Sequence, residues 1–242
     1  MKKVSVCLTA LGLAVTLSVA VLAQGRQGAP AKGMQEDANR AVEGGGVFAE
    51  GWTGKIDAQA AANGETLQNS KLTQQGNVLS VMTGPATTYW NPANTATGDY
   101  TVKATFHEAQ YMNLNNHPHP YGIFIAGNDL DTDNTSLLYC AAYGNGTFIV
   151  RGFGPAPFQM SGRRGTPAPS INQAAGRGSP VTQEIAMSVN GDNVTCSING
   201  QEVARYTKAE LVGSGKLKST DGVYGIRFAH NTEGTVTGLT KQ

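Results

Sequence analysis

Three Asn-Gly dipeptides, at residues 145–146, 190–191 and 199–200, each separate two runs of β-type residues. Asn and Gly readily take the positive φ that a two-residue turn needs, and such a turn joins two antiparallel strands. The runs themselves alternate apolar and polar residues, as in "GDYTVKATFHEA", so one face of the predicted sheet is buried and the other is solvated. We count about eleven such strands.

Helical patterns are almost absent from the same region. Glycine is abundant, at 31 residues, and only 14% of the chain is charged, which suits a β protein with many turns. The exception is "TKAELVG", where Thr207 and Glu210 have the spacing of a capping box before a single helical turn. We therefore predict an all-β fold, a two-sheet antiparallel β-sandwich with almost no helix.

The N-terminus has the pattern of a secretory signal. Lys2 and Lys3 precede an apolar stretch that ends in Val21-Leu22-Ala23, which predicts a signal peptide over residues 1–23. A Gly-, Ala- and Gln-rich segment follows, and we expect residues 24–45 to be a flexible linker and residues 46–242 to be one β-sandwich domain. The expected location is secreted or periplasmic, with no membrane attachment after signal cleavage.

The charge balance argues against a nucleic-acid partner. The chain carries 18 Lys and Arg residues against 17 Asp and Glu residues. Nucleic acids and anionic membranes are bound by clustered basic residues, which this sequence lacks apart from Arg163, Arg164 and Arg177 in the segment 154–181. Solvated arginines on a long loop are the expected state of that segment.

Two cysteines remain after signal removal, Cys140 and Cys196. In an oxidising compartment such a pair tends to be joined, and a bridge would stabilise the fold by roughly 4 kcal/mol. Two separately buried thiols are the alternative, and the sequence leaves the choice open because it does not supply the distance between the residues.

The strand series resembles that of a known superfamily. The runs "GDYTVKATF" and "YGIFIAG", a double hairpin and the final "DGVYGIRFAHNTEGTVTGLTK" are similar to the concanavalin A-like lectin/glucanase superfamily. The greatest similarity within it is to laminin-G-like jelly rolls and secreted bacterial 3-keto-disaccharide hydrolase domains. Six residues fit the hairpin pattern of these domains: Val189, Gly191, Val194, Asn199, Gly200 and Val203.

The resemblance implies a jelly roll that acts on or binds sugars. Glucanases of the superfamily carry paired carboxylates two residues apart on one strand, whereas Glu108 and Glu184 stand alone here. A glucanase of that type is therefore not expected. The keto-disaccharide hydrolases tend to have a histidine after the glycine-led strand, the place of His230.

The segment "HPHPYGIFIAGNDLDTDN" contains two candidate metal sites. His117 and His119 are two residues apart, so both rings point to one side of an extended chain, but a third ligand is needed and only His107 and His230 remain among histidines. A proline-stiffened surface loop is the favoured interpretation. A calcium ion could instead be held by three alternate aspartates: Asp129, Asp131 and Asp133. A solvated turn is the alternative for these.

A sugar site requires an aromatic ring that stacks on a pyranose and polar groups that bond its hydroxyls. Residue parity places Arg151 on the face of its strand opposite to Phe148 and Val150, on an expected concave outer face. The candidate ligand-binding residues are Trp90, Tyr111, His119, Asn128, Tyr143 and Arg151. Core packing is the alternative for Trp90 and Tyr143.

Three functions follow from these features. The first is a secreted carbohydrate- or glycan-binding β-sandwich without catalysis, with calcium as the one candidate cofactor. The second is an enzyme of the 3-keto-glycoside hydrolase type, in which His230 or His119 acts as base and a metal or Arg151 polarises the substrate. The third is a structural protein of the cell envelope. Convergence of two or more histidines or aspartates within metal-ligand reach would favour the enzyme.

Overall fold

The computed structural model describes residues 38–213 and 215–242, together with Met1. The predicted signal peptide and residues 24–37 of the predicted linker lie outside these ranges, apart from Met1. Within the described residues no helix is long and apolar enough to cross a membrane.

The described chain consists almost entirely of short strands. The patterns predict about eleven, and most of the additional ones have only two to four residues, too few to show an alternation. The strands are β1 (Gly46–Phe48), β2 (Thr53–Ile56), β3 (Ser70–Gln75), β4 (Val78–Thr83), β5 (Thr87–Ala96), β6 (Tyr100–Glu108), β7 (Tyr121–Asn128), β8 (Ser136–Ala142), β9 (Thr147–Phe153), β10 (Phe158–Gln159), β11 (Thr166–Pro167), β12 (Val181–Asn190), β13 (Asn193–Ile198), β14 (Gln201–Thr207), β15 (Gly222–Phe228) and β16 (Glu233–Lys241).

Helical structure in residues 38–213 and 215–242 is limited to short pieces, as predicted. They are α1 (Ala58–Ala62), α2 (Lys208–Leu211) and a 3₁₀ turn (Leu67–Asn69). The predicted capping box at α2 is confirmed, because Thr207 Oγ1 accepts from the backbone of Glu210 and the Glu210 carboxylate accepts from the backbone of Thr207.

The strands form two sheets, and the predicted β-sandwich is confirmed. The first sheet has the order β1-β3-β4-β16-β6-β12-β13-β14. The second has the order β10-β9-β8-β7-β15-β5-β2, and β11 also pairs with β9. The pairings are antiparallel except for β1 with β3. All three Asn-Gly turns join antiparallel neighbours, as predicted.

The core lies between the inner faces of the sheets. Alternate residues of β6 point inward, including Val102 and Phe106, which are at most 1% exposed. From the second sheet Ile123 and Ile226 enter the same cluster and are fully buried. The alternation that predicts one buried face of β6 therefore corresponds to real burial against the opposite sheet.

A disulfide crosses this core. Cys140 in β8 and Cys196 in β13 are bonded, with Cα atoms 6.2 Å apart. Because β8 belongs to the second sheet and β13 to the first, the bond links the two layers covalently.

Residues 38–45 of the predicted linker lie against one end of the sandwich. The Arg40 side chain donates to the carbonyl oxygens of Thr83 and Thr232, and the Arg40 amide donates to Asn231 Oδ1 at 2.7 Å. Val42 is buried. This end of the segment is thus anchored to the turns that precede β5 and β16.

Candidate functional site

Five residues of neighbouring strands lie side by side on the outer face of the second sheet. Gly225 pairs with Trp90 on one side and with Phe124 on the other, and Phe124 pairs with Tyr139, which pairs with Arg151. Paired residues of antiparallel strands project to the same face. The result is a row of aromatic rings that ends in a cation.

A glycine makes this row possible. A Cβ added to Gly225 would lie 2.3 Å from the Tyr89 carbonyl oxygen and 2.6 Å from Cε1 of Phe124. These separations are shorter than van der Waals contact, so the Phe124 ring lies over the backbone of β15 only because that position lacks a side chain.

A cavity of about 440 Å³ opens above one end of the row. Its floor includes Trp90, Leu137 and Arg227, and its walls come from β2, α1, the 130–135 turn and the 153–157 segment. Cavities of this size accommodate small organic ligands. The lining combines apolar side chains with the charged Lys55, Asp57 and Arg227, and we take it as a candidate binding groove.

An ion pair lies inside this groove. Arg227 Nη2 donates to Asp57 Oδ2 at 2.6 Å, and Arg227 Nη1 donates to Thr88 Oγ1 at 2.8 Å. Asp57 is the residue before α1 but its side chain caps no helical amide. Its carboxylate is instead held by the cation.

The environment of Arg227 keeps it charged. Its guanidinium carbon lies 5.1 Å from the ring centre of Tyr139 and 4.9 Å from that of Phe153. Burial alone would lower the pKa of Arg227, but the Asp57 carboxylate and Tyr139 raise it by more, so the net pKa lies above its ordinary value. Arg227 is only 7% exposed, whereas the Asp57 side chain is 34% exposed and remains accessible from the groove.

Three of the predicted ligand-binding residues share this outer face or its edge. Trp90 lies in the groove and is 5% exposed, and Tyr143 packs against the same cluster. Arg151 lies opposite to Phe148 and Val150, as residue parity predicts, and its Nη2 donates to the carbonyl oxygen of Arg163.

Two other predicted ligand residues lie elsewhere and have structural contacts. Tyr111 is 7% exposed, and its ring lies where a side chain on Gly144 would have to be. Asn128 ends β7, where its Nδ2 donates to the carbonyl oxygens of Ala126 and Asp221. These contacts hold the β7 terminus to the chain before β15.

The three alternate aspartates occupy the exposed turn after β7. Asp129 forms an ion pair with Lys218, and Asp133 lines the groove. In the part of the chain that the structure describes, the only His, Cys, Asp or Glu group with metal-ligand spacing consists of histidines. The three aspartates do not form such a group.

That group, the three-histidine centre, comprises His117, His119 and His230. One ligand atom from each lies within 4.8 Å of the others. The ring centres of His119 and His230 are 4.1 Å apart, and those of His117 and His119 are 4.4 Å apart. Two sequence-predicted catalytic residues therefore meet, together with His117. The centre lies where β7 begins and β15 ends, because the Ala229 amide donates to the Pro120 carbonyl oxygen and extends the pairing of these strands.

A second cavity, of about 640 Å³, lies on the outer face of the first sheet. None of its described lining residues is Trp, Tyr or Phe. Glu108 lines it, is 8% exposed, and accepts from the Met112 backbone. Burial raises the pKa of Glu108 to about 7, although the Met112 hydrogen bond opposes the shift.

Sequence reasoning missed Arg227, Asp57 and Phe153 as groove residues. Arg227 carried a usable signal, since it is the one charge in the otherwise apolar run "VYGIRF" and alternates with inward-facing Ile226 and Phe228. Asp57 had no such signal, because nothing local links it to a residue in β15.

Comparison with known proteins indicates the fold. No family model matches this chain, and no curated protein matches it. Among solved structures, a Bacillus subtilis protein of unknown function with a galectin-like fold is similar at a TM-score of 0.53 and 13% identity, over 79% of this chain and 88% of that one. This likeness supports the two-sheet β-sandwich fold.

Two further solved structures are similar at lower scores. Carbohydrate-binding module CBM66 from Bacillus subtilis has a TM-score of 0.43 and 11% identity, over 81% of this chain and 98% of that one. The laminarinase catalytic domain from Thermotoga maritima has a TM-score of 0.43 and 14% identity, over 81% of this chain and 84% of that one.

Proposed function

We propose that this protein binds a carbohydrate in the groove on the outer face of the second sheet and does no chemistry on it there. The observation that carries the proposal is the Asp57–Arg227 ion pair, set among Trp90, Tyr139 and Phe153 in a cavity of about 440 Å³. Sugars present both hydroxyl groups and apolar C–H faces, and this groove offers partners for both.

The polar partners have defined roles. The Asp57 carboxylate accepts from sugar hydroxyls, because one third of its side chain is accessible while Arg227 holds it in place. Lys55, on the rim, is directed by its hydrogen bonds to Thr132 and Thr135 of the neighbouring turn. Charge-assisted hydrogen bonds of this kind are stronger than those between neutral groups.

The apolar partner is the aromatic wall. Phe153 is half-buried at the edge of the groove, so part of its ring is available for stacking against a pyranose. Of the two carboxylates that line the groove, Asp57 and Asp133, Asp57 is engaged by Arg227 and serves in this proposal as a hydrogen-bond acceptor.

A secreted or periplasmic location is part of the proposal. The Cys140–Cys196 bond supports it, because disulfides persist in oxidising compartments and are rare in the cytosol.

A glycan array with the purified domain tests the proposal, run with and without calcium. Asp57→Asn and Phe153→Leu should each weaken binding about tenfold or more, because each removes one class of contact. Phe48→Ala is the matched control, since Phe48 is an aromatic residue that is 60% exposed and lies in the first sheet. Absence of binding to every glycan, or equal losses in Phe48→Ala and the groove variants, would overturn the proposal.

Hydrolysis of a 3-keto-glycoside is a second candidate function, favoured by the convergence of His119 and His230. A neutral imidazole there has a basic nitrogen that takes a proton from water or from the substrate. Incubation with a 3-keto-disaccharide should then release monosaccharides in the wild type and in His107→Gln but not in His230→Gln. Equal rates in the three proteins and in buffer would exclude this activity.

A further inference from the structure

We propose that the three-histidine centre is a binding site for a divalent transition metal of the zinc type. The proposal does not rest on carbohydrate binding, because the lining of the groove includes none of the three histidines.

Two of the ligands come from one short segment. Pro118 and Pro120 alternate with His117 and His119, and proline favours extended backbone in the residue before it. Both rings consequently project to one side, and the Nε2 atoms of His117 and His119 are 2.8 Å apart.

The third ligand comes from the other end of the chain. His230 follows β15 by two residues, and its ring stacks on that of His119 with an interplanar angle of 28°. The three histidines thus flank two paired strands of the second sheet, with His119 two residues before β7 and His230 two residues after β15.

Oxygen acceptors determine which ring nitrogen carries hydrogen. His119 Nδ1 contacts the His230 carbonyl oxygen at 2.5 Å, and a carbonyl oxygen only accepts, so Nδ1 is the donor. His117 Nδ1 lies 2.6 Å from Asn116 Oδ1 and is likewise the donor, because an amide oxygen only accepts. In a neutral imidazole the lone pair is then on Nε2.

The partner of His230 is itself oriented. His230 Nδ1 contacts Asn39 Oδ1 at 3.0 Å, and Asn39 Nδ2 donates to both carboxylate oxygens of Glu65, at 2.7 and 2.9 Å. Glu65 thus fixes the amide so that its oxygen faces the imidazole. Outer contacts of this kind orient histidines in metal sites and raise their basicity.

These tautomers place two lone pairs face to face. Nε2 atoms 2.8 Å apart repel each other unless a proton or a metal ion lies between them, and the open Nε2 lone pairs of neutral rings suit a metal ion. A metal bound 2.0–2.1 Å from each nitrogen separates ligand nitrogens by about 2.9–3.4 Å, so small rotations of the rings complete the geometry.

The donor set selects the class of metal. Imidazole nitrogen suits Zn²⁺, Cu²⁺ and Ni²⁺, whereas Ca²⁺ and Mg²⁺ require oxygen ligands. Three histidines leave a further coordination position for water or a ligand, as in catalytic zinc sites. His119 is 6% exposed, and the other two histidines are half-buried.

Cobalt and zinc titrations of the purified protein, carrying no histidine tag, test the proposal. We expect one Co²⁺ per chain with the visible absorption of a nitrogen-ligated site, and Zn²⁺ that displaces it. His117→Gln and His230→Gln should each weaken Zn²⁺ binding roughly 100-fold or more, and Asn39→Ala about 10- to 100-fold.

His107→Gln is the matched control, because the chain has four histidines and His107 lies outside the centre, bonded to Thr182. It should bind Co²⁺ as the wild type does, and circular dichroism checks that each variant is folded. Wild-type protein that binds neither metal at micromolar concentration would overturn the proposal. So would Zn²⁺ affinity in His117→Gln and His230→Gln equal to that of the wild type, or ¹⁵N spectra that show a shared proton between the Nε2 atoms undisturbed by metal.

Discussion

The carboxylate of Asp57 accepts a hydrogen bond of 2.6 Å from the guanidinium of Arg227, 170 residues later in the chain. The contact joins the segment between β2 and α1 to the centre of the second sheet. Arg227 also bonds Thr88 of β5, so three neighbouring elements meet at one cation.

Asp57→Ala should destabilise the fold, because it leaves the Arg227 charge buried without its counter-ion. Loss of one partner of a buried pair costs 3–5 kcal/mol, and we expect about 3 kcal/mol here because the Asp57 side chain is 34% exposed. Urea unfolding measures the change. The control is Glu202→Ala, which breaks an exposed pair with Arg205 and should cost much less. Equal losses in the two variants would contradict the prediction.

The pH dependence of stability should reflect Glu108. Its pKa is about 7 in the folded protein against 4.5 for an unperturbed glutamate, so between these values the unfolded chain has lost a proton that the native state retains. The free energy of unfolding therefore falls as pH rises from 4.5 to 7, by roughly 3 kcal/mol, and levels off above.

Glu108→Gln should remove this decline, because its neutral amide does not titrate. The comparison is urea unfolding of wild type and variant at several pH values. Glu184→Gln, which changes an exposed carboxylate on β12, should keep the wild-type slope. A Glu108→Gln protein with the same slope would show that other groups cause the dependence.

The disulfide should contribute substantially to stability. Replacement of Cys140 and Cys196 together by alanine releases a loop with a sequence separation of 56 residues, for which the chain-entropy model gives about 4 kcal/mol. Thermal and urea unfolding of the double variant measure it. A loss below about 1 kcal/mol would mean that the folded layers hold together without the bond.

Residues 38–45 should be part of the folded unit. A chain that begins at residue 46 loses the Arg40 contacts with Thr83, Thr232 and Asn231, at about 1 kcal/mol for each hydrogen bond, whereas one that begins at residue 38 keeps them. We expect the shorter chain to be about 3 kcal/mol less stable. Equal stability of the two chains would assign this segment to the linker.

The sequence by itself determined the class of fold and much of its local structure. The alternation of apolar and polar residues along β6 and the turn at Asn199-Gly200 depend on residues that are neighbours in the chain. Both can therefore be predicted without knowledge of tertiary contacts. The capping box of α2 and the placement of Arg151 opposite to Phe148 and Val150 also depend only on residues close together in the chain. The structure confirms both.

Only the tertiary structure decided which distant residues meet. His117 and His119 share a side because of their spacing, but His230 joins them only through the pairing of β7 with β15. Asp57 reaches Arg227, and Cys140 reaches Cys196, for the same reason. Contacts across a sandwich depend on strand order and register, which arise from the packing of both sheets at once and leave no local trace in the sequence.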